Sequence, residues 1–193
     1  MDEGDLDALV ELDGFPEVRE AIDPFSEHIP DDPVARREYE RRFLHPAGYL
    51  AAIERATGRF LGWFELVADR DQAAGADAAA AGGAPGGGAA GSAPHEAAAL
   101  AATEVELGYR FRPDAWGQGF ATEGAAALLA EALSRPDVTR VYAHALLSNP
   151  GSIRVMQKIG MSYAGPWAYM GLEGVEYEAL PGTGPRSAPA KRP

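Results

Sequence analysis

A loop containing two glycines joins a strand-like segment to a helix-like segment between residues 104 and 133. The first turn of a helix exposes main-chain N–H groups without partners and carries a partial positive charge. Glycine lets a backbone approach a ligand closely. The pattern therefore predicts a pyrophosphate site on these amides, although a tight turn without a ligand explains it equally well. The loop is not the dinucleotide fingerprint, because the third glycine is absent. Its residues are Gly117, Gln118, Gly119, Phe120, Ala121 and Thr122.

A second element lies farther along the chain, where Asn149-Pro-Gly-Ser152 precedes a helix-like segment. An Asn at a strand-to-helix turn is usually an N-cap, and so is a Ser in the first turn. By themselves these residues indicate only where a helix begins.

Together the two elements resemble the GNAT superfamily of acyl-CoA-dependent N-acetyltransferases, and most of all its ribosomal-protein N-terminal (alanine/serine) acetyltransferase branch. The resemblance covers about residues 5–70 and 103–180. It rests on the segment Val105-Glu-Leu-Gly-Tyr-Arg-Phe-Arg-Pro-Asp-Ala-Trp-Gly-Gln-Gly-Phe-Ala-Thr-Glu123 and on Asn149-x-x-Ser152-x-Arg154-Val155-Met156-x-Lys158-x-Gly160-Met161.

The resemblance implies that acetyl-CoA is the co-substrate and that no metal takes part. Backbone groups of Tyr109, Arg110 and Phe111 would pair with the pantetheine arm as an added strand, in a gap between two sheet strands. The loop amides from Gly117 to Thr122 would hold the pyrophosphate, and Asn149 would hydrogen-bond the pantetheine.

An amine is protonated at neutral pH and must lose a proton before it attacks a thioester, so the reaction needs a base. Glu106 is one candidate, and a solvent-facing strand acid is the alternative reading. His144 is another, although a lone His on an apolar strand is more often a core residue. Many superfamily members have a Tyr donor for the departing thiolate where this chain has Met156. Ser152, otherwise a helix cap, is the nearby hydroxyl donor.

The amino-acid composition limits the classes of molecule that the protein is expected to bind. The chain has 193 residues, no cysteine and a net charge of −12, and residues 1–40 hold 14 acidic and 3 basic side chains. A nucleic-acid binder normally carries a basic face, so nucleic acid is not expected. The acidic N-terminal part suits a cationic acceptor, either a small-molecule amine or a protein N-terminus. We expect no membrane span, no signal peptide, a cytoplasmic location and a homodimer as a further option.

The length of the chain is about that of one domain, and we expect a single domain over residues 1–180. Residues 73–102, almost wholly Ala and Gly, and the tail 181–193 are predicted to be disordered. Helices are predicted at Asp5–Leu12, Pro16–Ile22, Asp32–Leu44, Thr122–Ser134 and Ser152–Ile159. Strands are predicted at Gly48–Ile53, Phe60–Val67, Glu104–Phe111, Arg140–Leu147, Ser162–Gly171 and Val175–Leu180.

This order predicts a mixed α/β (α+β) domain with a mostly antiparallel central sheet and helices on both faces, as in the GNAT fold. The family usually begins with a further strand that this sequence lacks, which would leave an unpaired sheet edge. The alternative to an active enzyme is therefore a non-catalytic acyl-CoA-binding module or a truncated, inactive relative.

Overall fold

A computed structural model describes residues 1–22, 29–44, 48–68 and 103–182. The predicted insert at 73–102, most of the predicted tail, and His28, His45 and His95 lie outside these residues.

The helices and strands follow the predicted order, with shifted ends. The helices are α1 (Leu6–Leu12), α2 (Pro16–Ala21), α3 (Pro33–Glu40), α4 (Phe120–Ser134) and α5 (Pro150–Lys158). The strands are β1 (Tyr49–Ile53), β2 (Phe60–Ala68), β3 (Thr103–Phe111), β4 (Val138–Leu146), β5 (Ser162–Tyr169) and β6 (Leu172–Ala179). Short 3-10 turns precede α1 at Glu3–Asp5 and follow α3 at Arg41–Leu44.

The strands form one six-stranded sheet in the order β1-β2-β3-β4-β6-β5. Among the described strands only β3 and β4 run parallel, so the expected mostly antiparallel sheet is confirmed. These two strands are paired from Thr103 to Glu106 on β3, and Glu106 opposite Tyr142 is the last pair. Beyond it β3 continues to Phe111 without β4 beside it. We call this opening the β3–β4 gap.

Helices cover both faces of the sheet, as expected. On one face α4 and α5 bury Ala125, Leu129 and Met156 against Leu107 and Ala143. We call it the helix face. On the other face the N-terminal helices and the Arg41–Leu44 turn enclose a second core. That core consists of Leu9, Leu12, Val18, Phe43 and Trp63.

Local sequence explains the helix starts. Asp32 accepts hydrogen bonds from the N–H groups of Val34 and Ala35, and Pro33 supplies a preset φ in the first turn. Asn149 caps α5 in the same way by accepting from the N–H of Ser152. The prediction that α5 starts at Ser152 was therefore two residues late.

Two other boundaries differ for physical reasons. Helix α4 begins at Phe120 rather than Thr122, because Gly119 adopts a left-handed conformation and serves as its N-cap. Strand β6 begins at Leu172 because the β5–β6 turn is tight, with Met170 and Gly171 at positive φ. Within the described residues β1 is a sheet edge, and the described element that precedes it in the chain is the 3-10 turn Arg41–Leu44. None of the described helices has the length and apolar character needed to cross a membrane.

Candidate active site

A row of polar side chains crosses the sheet on the face opposite to α4 and α5. Glu106 on β3 lies beside His144 on β4, with 3.4 Å between Oε1 and Nδ1. The other ring nitrogen of His144 lies 2.8 Å from Oε2 of Glu176 on β6. Both base candidates of the sequence are thus in contact, and Glu176, which sequence reasoning missed, holds the far side of the imidazole.

The surroundings of His144 favour its charged form. Burial alone would lower the pKa of His144, but hydrogen bonds to Glu106 and Glu176 raise it above its ordinary value. The ring stacks on Trp167, with 4.5 Å between centroids. Arg140 binds the second oxygen of Glu176. The imidazole is therefore fixed in orientation, and its protonation depends on the two carboxylates.

A further carboxylate, Glu65 on β2, extends this row. Its pKa is raised to about 7, first by burial and then by the negative charge of Glu106. Tyr49 donates a hydrogen bond to it at 3.2 Å. Gly108 stands opposite Glu65, and a Cβ there would lie 3.0 Å from Oε2, so the glycine leaves room for the carboxylate. From the sequence alone, its placement on β2 makes Glu65 a weaker base candidate than Glu106 or His144.

The β3–β4 gap exposes main-chain groups of β3. The N–H of Arg112 donates to the carbonyl of Leu61, so alternate residues along β3 direct their main-chain groups toward β2. By this alternation Arg110 pairs with β2, whereas Tyr109 and Phe111 face the gap. Of the three residues predicted to pair with pantetheine, Tyr109 and Phe111 therefore have main-chain groups directed to the gap, and a contact of any of them with pantetheine stays a prediction. The Phe111 carbonyl already accepts from the indole of Trp116 at 2.8 Å.

The glycine loop lies at the end of β3 and opens outward. Gly117 and Gly119 have φ values of 73° and 93°, in the left-handed region that favours glycine. A Cβ on either residue would have no atom within 4 Å. Within the described residues, no group accepts a hydrogen bond from the N–H of Phe120, Ala121 or Thr122. The Gln118 side chain donates to the Asp114 carbonyl at 2.6 Å and braces the loop.

The remaining predicted residues lie at the start of α5. Asn149 accepts from Ser152 N at 3.0 Å and donates to the Ala21 carbonyl at 3.1 Å, so it caps α5 and ties it to α2. Its contact with pantetheine stays a prediction. The Ser152 hydroxyl lies 2.9 Å from the hydroxyl of Tyr109, a side chain to which the sequence reading gave no role. Met156 is fully buried in the core.

The site therefore has two sides. Glu106, His144 and Glu176 lie on the polar face of the gap, whereas Tyr109, which alternates with Glu106 along β3, points to the helix face and meets Ser152. Proton-accepting groups on one side and hydroxyl donors on the other are suited to a displacement reaction across the gap. The described residues contain no group of three or more side chains that could hold a metal.

Comparisons with known proteins identify the family of the chain and structures of similar fold. The family described as "Acetyltransferase (GNAT) domain" matches residues 1–162. A GNAT-family acetyltransferase from Bacillus anthracis has a TM-score of 0.64 at 19% identity, covering 92% of this chain and 89% of the other. Spermidine N-acetyltransferase from Vibrio cholerae, solved with CoA and spermine, has a TM-score of 0.60 at 13% identity, covering 94% and 92%.

Aminoglycoside acetyltransferase AAC(6')-Ib, solved with coenzyme A, has a TM-score of 0.63 at 17% identity, covering 95% of this chain and 93% of the other. These TM-scores show a shared fold. Comparison with the sequences of curated proteins gives no significant match.

Proposed function

Because the chain belongs to the GNAT acetyltransferase family, we propose that it transfers an acetyl group from acetyl-CoA to a primary amine by direct attack. The observation that carries this proposal is the β3–β4 gap, with carboxylates and His144 on one side and hydroxyls on the other. An amine can lose its proton on the polar face while the thiolate departs on the helix face.

The residues present fit acetyl-CoA. The open space above Gly117 and Gly119 and the free N–H groups at the start of α4 suit a diphosphate. Tyr109 and Phe111 offer main-chain groups to the pantetheine amides across the gap. Acetyl-CoA supplies the activated thioester, and the protein binds it, accepts the proton of the amine and stabilises the developing negative charge.

Glu106 and His144 form the base unit of this mechanism. In water the proton of an ammonium group is held too tightly for attack, and a carboxylate–imidazole pair within 3.4 Å offers it an acceptor. Ser152 is the donor on the leaving-group side. Either member of the base unit can take the proton: a carboxylate oxygen of Glu106, or a ring nitrogen of His144 when the imidazole is neutral.

A cationic amine is the acceptor class that the charges favour. Glu65, Glu104 and Glu178 join Glu106 and Glu176 on the polar face. Arg140 and the charged form of His144 neutralise part of this charge. The spermidine and aminoglycoside enzymes of similar fold support a small-molecule acceptor. A protein N-terminus is the other acceptor, by the branch resemblance. The cytoplasmic location and the homodimer stay predictions.

Acetyl-CoA consumption with a panel of amines tests the function. The panel contains a polyamine, an aminoglycoside and peptides beginning with Ala or Ser. Turnover with the first two supports a small cationic acceptor, and turnover with the peptides alone supports the N-terminal acceptor. Binding of CoA without turnover on any amine would instead identify a non-catalytic acyl-CoA-binding module.

Substitution of Gly119 tests the pyrophosphate site. Gly119→Val places a branched side chain in the space above the loop, at a φ that Val rarely adopts. We expect CoA affinity, measured by calorimetry, to fall at least tenfold. Gly58→Val is the matched control, because Gly58 has a φ of 72° and open space but lies in the β1–β2 turn. Equal CoA affinity in both variants would refute the loop assignment.

A further inference from the structure

One side-chain contact bridges the β3–β4 gap on the helix face. The Tyr109 hydroxyl lies 2.9 Å from Oγ of Ser152 and 3.1 Å from the Ser152 carbonyl oxygen. Tyr109 stands three residues beyond Glu106, where β3 and β4 are last paired. The contact therefore joins β3 to the first turn of α5 where the strands have already separated.

Both partners are held in place by their surroundings. The Tyr109 ring packs edge-on against Phe64, with 6.3 Å between centroids. The Ser152 main chain is fixed by its hydrogen bond to Asn149 at 3.0 Å. The two hydroxyls are therefore preorganised, and a ligand at the gap meets them without a rearrangement of the backbone.

The hydrogen-bonding capacity of the pair sets its chemistry. A tyrosine hydroxyl has one proton, and a serine hydroxyl has one proton and two lone pairs. The one proton of Tyr109 goes either to the Ser152 carbonyl oxygen at 3.1 Å or to Oγ at 2.9 Å. When it goes to Oγ, the shorter of the two contacts, the Ser152 proton is left for another acceptor. Burial raises the pKa of Tyr109 to about 12 despite the opposing effect of Ser152, so the phenol keeps its proton at physiological pH. It is a constant donor rather than a group that switches.

The proposed reaction needs a donor here. A thiolate departs from the thioester on this side of the gap, and Met156 is buried and has no proton to donate. A hydrogen bond to an ionised group is about twice as strong as one between neutral groups. A donor aimed at the sulfur therefore stabilises the thiolate more than it stabilises the bound thioester.

We propose that Tyr109 is a positioning residue: it holds Oγ of Ser152 so that the serine proton points at the sulfur of CoA as the thiolate leaves. This inference rests on the proposed function. The base unit takes one proton from the ammonium group and passes it to solvent. The neutral nitrogen then bonds to the carbonyl carbon and gives its second proton to the base unit. The C–S bond then breaks with its electron pair remaining on sulfur. The thiolate accepts the Ser152 hydrogen bond and takes a proton from solvent after release.

Calorimetry with CoA and desulfo-CoA tests this role without turnover. The ligands differ only at the sulfur, so their affinity ratio isolates the contact with that atom. Thiols titrate near pH 8.5, so in the wild-type protein we expect the ratio to favour CoA and to increase between pH 7 and pH 9. Tyr109→Phe keeps the ring, and we expect it to reduce the ratio at pH 9 about tenfold while leaving the affinity for desulfo-CoA unchanged.

Two further variants test whether Tyr109 acts through Ser152. Ser152→Ala should abolish the preference for CoA. Adding Tyr109→Phe to Ser152→Ala should cause no further loss, because Tyr109 acts through the serine. Tyr163→Phe removes a tyrosine hydroxyl from an exposed position on β5 and should leave the ratio as in the wild-type protein. In turnover assays, Tyr109→Phe should lower kcat about tenfold with little change in KM for acetyl-CoA.

Each other outcome has a definite meaning. An unchanged ratio in Tyr109→Phe overturns the proposal. An equal loss of affinity for both ligands also overturns it, because it shows a structural role only. Wild-type protein that binds both ligands equally well at pH 9 contradicts this inference and leaves acetyl transfer standing. Wild-type protein that binds neither ligand contradicts the proposed function, and the inference with it.

Discussion

His144 is the residue on which most of the site's polar contacts converge. Its two ring nitrogens face carboxylates on different strands, and its ring face is covered by Trp167. Glu176 in turn binds Arg140, which also binds Glu104 and Glu178. The charge state of one imidazole is therefore controlled by residues from three strands.

Glu176→Gln tests that control. Removal of the negative charge 2.8 Å from the imidazole destabilises its protonated form, so the pKa of His144 falls. If His144 acts as the base, the acidic limb of the kcat/KM profile shifts to lower pH. Glu173→Gln is the matched control, because it removes an exposed charge from the same strand but on the opposite face. A limb that does not move in Glu176→Gln would assign the base role to Glu106 instead.

Single residues were only partly predictable from the sequence. Glu106 and His144 were found because a strand motif and a chemical requirement marked them, and the structure places them in contact. Glu176 was missed because β6 reaches β4 by a crossover of the chain, which a linear pattern does not reveal. The hydroxyl role of Tyr109 was missed because its partner lies 43 residues away.

At the scale of elements, α4 must be seated firmly on the sheet, because its first turn forms the loop site. Gly124 allows this seating: a Cβ there would come within 2.2 Å of the Phe64 ring. Phe64 also packs against Tyr109 and Phe111. One close helix–sheet contact thus supports both the loop and the side-chain bridge across the gap.

Gly124→Ala should therefore destabilise the protein although alanine favours helices. The forced shift of the ring costs about 1–3 kcal/mol, whereas the gain in helix propensity is about 1 kcal/mol. We expect a net loss of about 1 kcal/mol in the free energy of unfolding in urea. Gly151→Ala in α5 is the control, since its Cβ would meet only an atom at 3.4 Å. Equal free energies of unfolding in the two variants would show that the Phe64 ring moves aside without destabilising the protein.

The elements themselves were well predicted, because apolar periodicity and capping residues are local signals. Asp32-Pro33 and Gly160 marked helix ends that the structure shows within two residues. The parallel pairing of β3 with β4 and the gap beyond Glu106 have no local signal in the sequence. The parallel pairing was not predicted, and a gap between two strands was expected only from the family resemblance.

At the scale of the whole molecule, a buried charged group ties the N-terminal helices to the sheet. Asp13 follows α1, Glu40 ends α3, and both carboxyls are almost completely buried. Arg110 on β3 forms an ion pair with Asp13 and lies over the Trp63 ring. One arginine cannot neutralise two buried carboxylates, so one of them must hold a proton.

Glu40 is that carboxyl. Its pKa is raised to about 9, first by burial and then by the negative charge of Asp13. In the unfolded chain Glu40 titrates near its ordinary value of 4.5. The contribution of protonated Glu40 to the free energy of unfolding therefore has its full value below pH 4.5 and declines as the pH rises toward 9. The slope for one proton is about 1.4 kcal/mol per pH unit.

Glu40→Gln should remove this decline, because a neutral amide of the same shape binds no proton. We expect the free energy of unfolding of the variant, relative to wild type, to increase by about 1 kcal/mol per pH unit between pH 5 and pH 8. Urea denaturation at each pH measures it, and the difference between the two proteins cancels the other titrating groups. Glu38→Gln changes an exposed residue on the same helix, and its free energy of unfolding should vary with pH as that of wild type does. If the free energy of unfolding of Glu40→Gln has the same pH dependence as that of wild type, Glu40 is ionised in the folded protein and the buried proton lies on another group.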